Sequence, residues 1–585
     1  MSHPIPNLMK QFILYILLCS CALAQDTPDT TLNRYATTED ARYWPSVNEG
    51  DYIFFKGNTD KGEDIYAAAG TNHLKVELPI GKKILIYTGD YERILINGEG
   101  CQSTAETPTI ITNLGGQVRW GNSHENNHYR ALELYNFQHL HLTGKYDAAK
   151  QTGHADYLGH NAGQNLGSGA YYERYGLWGN PKWSGIIYHK NYGNGVRIHH
   201  FKTVKVDYVA SWGGYFASFN IKTDNPKTPG EVDVDIQDCF AGFGEGEAFY
   251  ISYSTKAHNQ DITRLTLKNN ISVFTGAECL QTDNLAEGSV IENNVSLGSA
   301  TFFRHPFQSR FQDNMHQFSF VEGGVTVQNN IFMSTNGALH QFRYRDANSA
   351  KLTGRTSPSK DKPVIMRNNF YGMSRTTMGY MWQGDGITPY IFSNNVYGDI
   401  SVPDADDTLS VTPDAPAGFF KIGNSNTEIL FEKNIYPKGR DLYYTSLGDG
   451  SKITHRENVQ KAAPTIQFKN SGFPDDIDWR SISVWNATYQ NTPNVDGLNK
   501  NGEFIPYALG DIVIFYDSDG NTKFFKCILA HAENHNPNTS PQHWAQMTWK
   551  GRNLPPLDLR IKADTFYNDR GMGLSYNEAK ETALD

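Results

Sequence analysis

Leu265-Thr266-Leu267-Lys268-Asn269-Asn270-Ile271 is one line of a repeated phrase. The phrase returns as Val-Ile-Glu-Asn-Asn-Val at 290–295, Val-Thr-Val-Gln-Asn-Asn-Ile at 325–331 and Val-Ile-Met-Arg-Asn-Asn-Phe at 364–370. It returns again as Tyr-Ile-Phe-Ser-Asn-Asn-Val at 390–396 and, degraded, as Ile-Leu-Phe-Glu-Lys-Asn-Ile at 429–435. The second Asn falls at 270, 294, 330, 369, 395 and 434, with gaps of 24, 36, 39, 26 and 39 residues. The shorter gaps equal one turn of a coiled parallel sheet, and the longer ones are a turn plus a loop.

Each copy is an alternating apolar strand, so one face is apolar and turned inward. Asn tolerates the left-handed backbone of a tight corner, and stacked corner amides can hydrogen-bond along the stack. A β-sandwich with Asn-rich turns is the competing architecture, and six copies in one phase weigh against it. The pattern resembles the right-handed parallel β-helix, an all-β solenoid used by many polysaccharide lyases and some glycoside hydrolases.

A chain of 585 residues is long for a single ordinary core, but a solenoid grows in one dimension. Aromatic residues reach 13%, a composition suited to stacking on sugar rings. The formal charge of −10 argues against general nucleic-acid binding. Residues 1–24 read as an export signal: Lys10, an apolar run at 12–18, and Ala22-Leu23-Ala24 before Gln25. The run is too short for a membrane span, and secretion as a monomer is expected. Leu18-Cys19-Ser20-Cys21 also approximates a lipobox that would lipidate Cys21. The remaining cysteines, Cys101, Cys239, Cys279 and Cys527, lack metal-ligand spacing, so no metal site is expected from them. Cys239 and Cys279 could face each other on neighbouring coils, or be buried separately.

The β-helix is expected over 25–499. An aromatic, Gly-rich insertion at 147–184 reads as a wall of a substrate groove. Residues 500–550 have another texture: Tyr507-Ala508-Leu509-Gly510-Asp511-Ile512-Val513, a strand ending Ala530-His531, then Pro537, Pro541, Trp544 and Trp549. This stretch resembles small carbohydrate-binding modules of families five and twelve. It lacks their usual Trp before the Tyr, with Phe504 as the nearest stand-in. The resemblance implies sugar contact by Tyr507, Tyr516, Trp544 and Trp549. Residues 551–585 read as a final coil.

Glycosidic hydrolysis needs an acid and a second carboxylate. Glu245 and Glu247, two apart beside glycines, are the first candidates, with Asp224 one coil earlier as partner. Asp238, Glu278 and Asp283 are further candidates. Structural acids at a Gly-rich corner are the competing reading. Lys222, Trp212, Tyr215, Arg304, His305, Arg310, His316, Arg343 and Arg345 bunch as a candidate anion-binding surface, with Lys190, Arg197, His199, His200 and His340 nearby. The same residues permit β-elimination on a uronate, with Lys222, Arg304 or His305 and Tyr215 as proton-transfer groups. Calcium is an optional cofactor, with Asp233 and Asp235 on one strand face as its only candidate ligands.

The resemblance extends to secreted carbohydrate-active β-helix enzymes, including carrageenases, fucanases and alginate or chondroitin lyases. It implies an endo-acting hydrolase on an anionic, sulfated polysaccharide. The alternatives are a lyase on a uronate-containing chain and a non-catalytic binding solenoid.

Overall fold

The computed structural model describes residues 48–54, 73–91, 94–120, 130–144, 177–179, 194–212, 216–222, 231–244, 246–251, 262–301, 314–320, 323–344, 361–374, 379–383, 388–400, 418–422, 428–439, 441–445, 452–474, 477, 479, 482–485, 507–516, 522–531, 535–549, 553, 555, 557–562 and 565–573. The export signal and most of the 147–184 insertion lie outside them. Among the described residues no helix is long and apolar enough to cross a membrane.

One turn shows the architecture. Glu231–Gln237 runs along face A, Phe240–Gly242 along face B and Glu247–Ile251 along face C, and Ile262–Lys268 then returns to face A. Successive face A strands pair in parallel, and so do those of faces B and C. Faces A and B form a 23-stranded sheet and face C a 12-stranded sheet. The chain is a right-handed parallel β-helix, the hand that parallel crossovers adopt.

Alternation builds the interior. On face A, Leu267, Ile291, Val327, Met366, Phe392 and Phe431 stand in register on consecutive coils and are buried. The corner between faces A and B explains the Asn pair. The first member takes the left-handed conformation, at φ 57° for Asn269, 55° for Asn293 and 59° for Asn329. The second member turns inward and stacks. Nδ2 of Asn270, Asn294, Asn330, Asn369 and Asn395 each donates to Oδ1 of the next Asn at 2.9–3.2 Å. Each also donates to a carbonyl of the preceding coil, as Asn330 does to Ile291 at 2.9 Å.

The ladder continues past the sixth copy. Asn434 Nδ2 donates to Asn458 Oδ1 at 2.9 Å, so Ile453-Thr454-His455-Arg456-Glu457-Asn458-Val459 is a seventh copy with Glu457 at the left-handed position. At the other end Cys239 takes the ladder position: its amide donates to Asn270 Oδ1 at 2.9 Å. Cys239 and Cys279 are both free thiols and occupy different corners, so they do not face each other.

Among the described residues the C-terminal strands do not extend the stack. Asp558–Ile561 pairs antiparallel with Phe468–Asn470. Leu559, Ile561, Tyr567 and Met572 join one apolar cluster with the outward side chains of face B, among them Ile271, Val295, Ile331 and Val396. The expected final coil at 551–585 is therefore, over its described part, a cover on face B. Between these segments, Ile512–Tyr516, Thr522–Cys527 and Trp544–Met547 form an antiparallel sheet, joined in parallel by Ile482–Val484.

Candidate functional site

Face C carries the polar constellation. Glu133, Arg197, Asn220, Tyr250, Gln281, Gln317 and Gln341 stand in one column on successive coils. They alternate with the interior residues Phe219, Phe249, Leu280 and Phe318, so the column faces outward. Two residues along each strand, Tyr135, His199 and Lys222 form a parallel column.

At one end, buried Glu133 holds two imidazoles. Its Oε1 is 2.7 Å from His199 Nε2 and its Oε2 is 2.8 Å from His73 Nε2. Arg197 Nε lies 3.7 Å from the same carboxylate. Tyr135 stacks against His199, with ring centres 4.6 Å apart. Burial holds the His199 pKa below the usual imidazole range, outweighing the opposing pull of Glu133. A neutral His199 that donates from Nε2 to a carboxylate carries its lone pair on Nδ1.

One coil further, Lys222 Nζ sits 3.5 Å from the Tyr250 ring centre. Lys222 is buried, and its charge acts on Glu247. Burial pushes the Glu247 carboxyl up to about 7 against the lowering effects of its backbone hydrogen bond and Lys222. Glu278 occupies the next coil, as the bond from the Ala248 amide to the Glu278 carbonyl shows. Cys279 and Leu280 both line a small interior cavity with Ser272 and Ser296, and register sets Glu278 beside Glu247. Asn314 continues this column and donates to Gln341 at 3.3 Å.

Lys222 thus acts on Glu247 through its charge, although Glu247 stands in register with Ala217 at the other end of the strand, and Glu278 stands on the next coil. His316 is corrected: it is 1% exposed, inside the coil, against Ser296 and stacked on His340. Alternation places it opposite to the outward column of Gln281, Gln317 and Gln341. Trp212 ends the face B strand Val209–Trp212, in register with Gly242, and so belongs to another face. Arg343 lies in the face C strand Ala338–Tyr344. Asp224, Glu245, Tyr215, Arg304, His305, Arg310 and Arg345 lie outside the described residues. Asp233 and Asp235 already have partners on face A: Arg264 lies 3.0 Å from Asp233, and Gln237 donates to Asp235 at 2.7 Å. Both acids are thus engaged within face A. Glu133, His73 and Tyr250 escape a linear reading, because Leu132-Glu133-Leu134 has the form of any half-exposed strand and only the register sets it beside His199.

In the small module, Trp544 is 2% exposed and Tyr507 5%, and both pack with Trp485, Phe515 and Phe525. They fill a core instead of offering a ring face to sugar. Trp549 packs on Phe473 and Phe524 and donates to the Gly472 carbonyl at 2.5 Å. Tyr516 ends the strand Ile512–Tyr516.

No protein-family model matches the chain, and no curated protein matches it. Among solved structures it is similar to the A-module of the mannuronan C-5 epimerase AlgE6 of Azotobacter vinelandii. Identity is 10%, coverage 66% of this chain and 92% of that one, and the TM-score 0.25. It is also similar to a mannuronic acid-specific polysaccharide family 6 lyase from the human gut microbiota. There identity is 12%, coverage 70% and 91%, and the TM-score 0.27. At these values neither likeness bears on the chemistry, which rests on the side chains of face C.

Proposed function

We propose that the chain is a secreted polysaccharide-active enzyme that cleaves a uronate-containing chain by β-elimination in the face C groove. The observation that carries this reading is the Glu133–His199 pair, one coil from Lys222. Elimination beside a uronate carboxylate needs a cation to neutralise that carboxylate, a base to take the C5 proton and a donor for the leaving O4. Arg197 and Lys222 supply the cations, and His199 Nδ1 is the base. The Tyr250 phenol, in the column between them and Gln281, is the donor. As the C5–H and C4–O bonds break, a C4=C5 double bond forms at the new non-reducing end.

The hydrolase reading keeps one specific support. Glu247 and Glu278 lie on adjacent coils, about 4.8 Å apart along the axis, and Glu247 is pushed up to about 7. Such a pair suits an acid and a nucleophile. Both carboxylates are almost wholly buried, at 2% and 0% exposure, as are Tyr250 at 4% and Lys222 at 7%, so the exposure of the base and of the guanidinium separates the readings. The His199 and Arg197 side chains retain 12% and 25% exposure and can meet a polymer. Incubation with uronate and sulfated polymers separates the readings. Products absorbing in the ultraviolet as unsaturated uronides are expected; new reducing ends without that absorbance would sink elimination.

A further inference from the structure

The small C-terminal module holds a cluster that the groove chemistry does not use. The side chains of His531, His535 and His543 each offer a ring nitrogen, and these atoms lie within 4.8 Å of one another. The three residues come from separate stretches whose backbones are fixed by other bonds. His531 exchanges two backbone hydrogen bonds with Tyr507, at 2.8 and 3.1 Å. The His535 carbonyl accepts from the indole of buried Trp544 at 2.8 Å. The His543 carbonyl accepts from the Ile528 amide at 2.8 Å, and its own amide donates to Ser540 at 3.0 Å. All three side chains are partly exposed, so an ion can reach them.

The rings are close. His535 and His543 stack with centres 3.6 Å apart, and His531 meets both nearly edge-on at 5.0 and 4.9 Å. Nδ1 of His543 is buried without a hydrogen-bond partner among the described residues. Packing three imidazoles together with a nitrogen left unpaired forgoes hydrogen bonds that a cation would replace.

We infer that His531, His535 and His543 form a binding site for a divalent transition metal of the zinc class. Imidazole nitrogen suits zinc, copper and nickel and not calcium or magnesium. Three protein ligands leave a fourth position open to water or to an anionic group. On binding, the stacked pair rotates apart so that each lone pair meets the ion in its own ring plane. The ion then ties the turn before Trp544–Met547 to the end of Thr522–Cys527 and to the Tyr507 segment, bracing the module beside its own core of Tyr507 and Trp544.

The full chain, stripped with a chelator, equilibrated with zinc chloride and desalted, is assayed for bound metal. One zinc per chain is expected in the unaltered protein and in His455→Ala, which changes an exposed histidine on face A. His535→Ala should lose the zinc, or weaken its binding at least tenfold, since one of three ligands is gone. Loss of zinc by a misfolded variant is excluded by requiring an unchanged near-ultraviolet circular dichroism spectrum. Cobalt loaded into the unaltered protein gives an independent reading, with a ligand-field spectrum of nitrogen coordination expected. Absence of retained zinc in the unaltered protein, full retention in folded His535→Ala, or a cobalt spectrum of a purely aquo ion would each overturn the assignment.

Discussion

His199 is a base only if its second nitrogen is held, and Glu133 holds it at 2.7 Å. His199→Ala should lower turnover about 10²–10⁴-fold, the usual worth of a positioned base, with the fold retained by circular dichroism. Glu133→Gln keeps the size of the residue but removes the charge that orients both rings. Its expected signature is a fall in kcat with little change in KM. The pH profile has a defined sign. His199 must be neutral to accept a proton, and burial sets its folded pKa below the usual 6.5. Activity should therefore already be full near neutrality and fall on the acid side, with its midpoint below 6.5. A midpoint above that value in the free enzyme would contradict the assignment. At this scale the sequence is a poor guide. Lys222 and Glu247 are visible because charge and glycine mark them, whereas Glu133 and His199 are 66 residues apart and meet only through coil register.

The Asn corner is the element most legible in the chain, because backbone need and side-chain chemistry impose the same residue. The left-handed position selects the first Asn, and the ladder selects the second. Where only one demand is met the signal fades. Lys433 and Glu457 adopt positive φ without being Asn, so the sixth copy is degraded and the seventh is lost to a linear reading. Asn330→Ala removes the side-chain donor to the Ile291 and Gln328 carbonyls and the acceptor of the buried Asn294 amide. A loss of about 2–4 kcal/mol in unfolding free energy is expected, measured by denaturant titration. Cys239→Asn should instead stabilise by about 1 kcal/mol, extending the ladder with a donor stronger than the thiol now facing the Val206 carbonyl at 3.7 Å. The interior also carries an acid switch. Burial holds His340 down to about 3, and His316 well below 6.5. Between pH 6.5 and 3 the unfolded chain binds protons that the folded coil does not. Stability from these groups is thus full above 6.5 and falls as pH drops, by on the order of 5 kcal/mol for His340. His340→Phe should flatten that decline.

The described coils form a prism with face B covered and face C carrying columns of outward polar side chains. Face B turns Ile271, Val295, Ile331 and Val396 outward, and the C-terminal segments bury them. Truncation before residue 466 should expose this stripe and drive aggregation, read by light scattering. Strand patterns at 507–516 and 557–562 were legible, but their docking was not: an apolar strand pattern is the same whether it closes a coil or lies across one. The polar columns of face C are likewise a property of the stack, since each coil contributes only one or two of their residues. The central claim is elimination on that face, and the direct test is the ultraviolet absorbance of products from a uronate polymer incubated with the unaltered chain and with His199→Ala. A steady rise with the unaltered chain and none with folded His199→Ala is the result expected. Equal rises for the two, or cleavage without any unsaturated product, would contradict it.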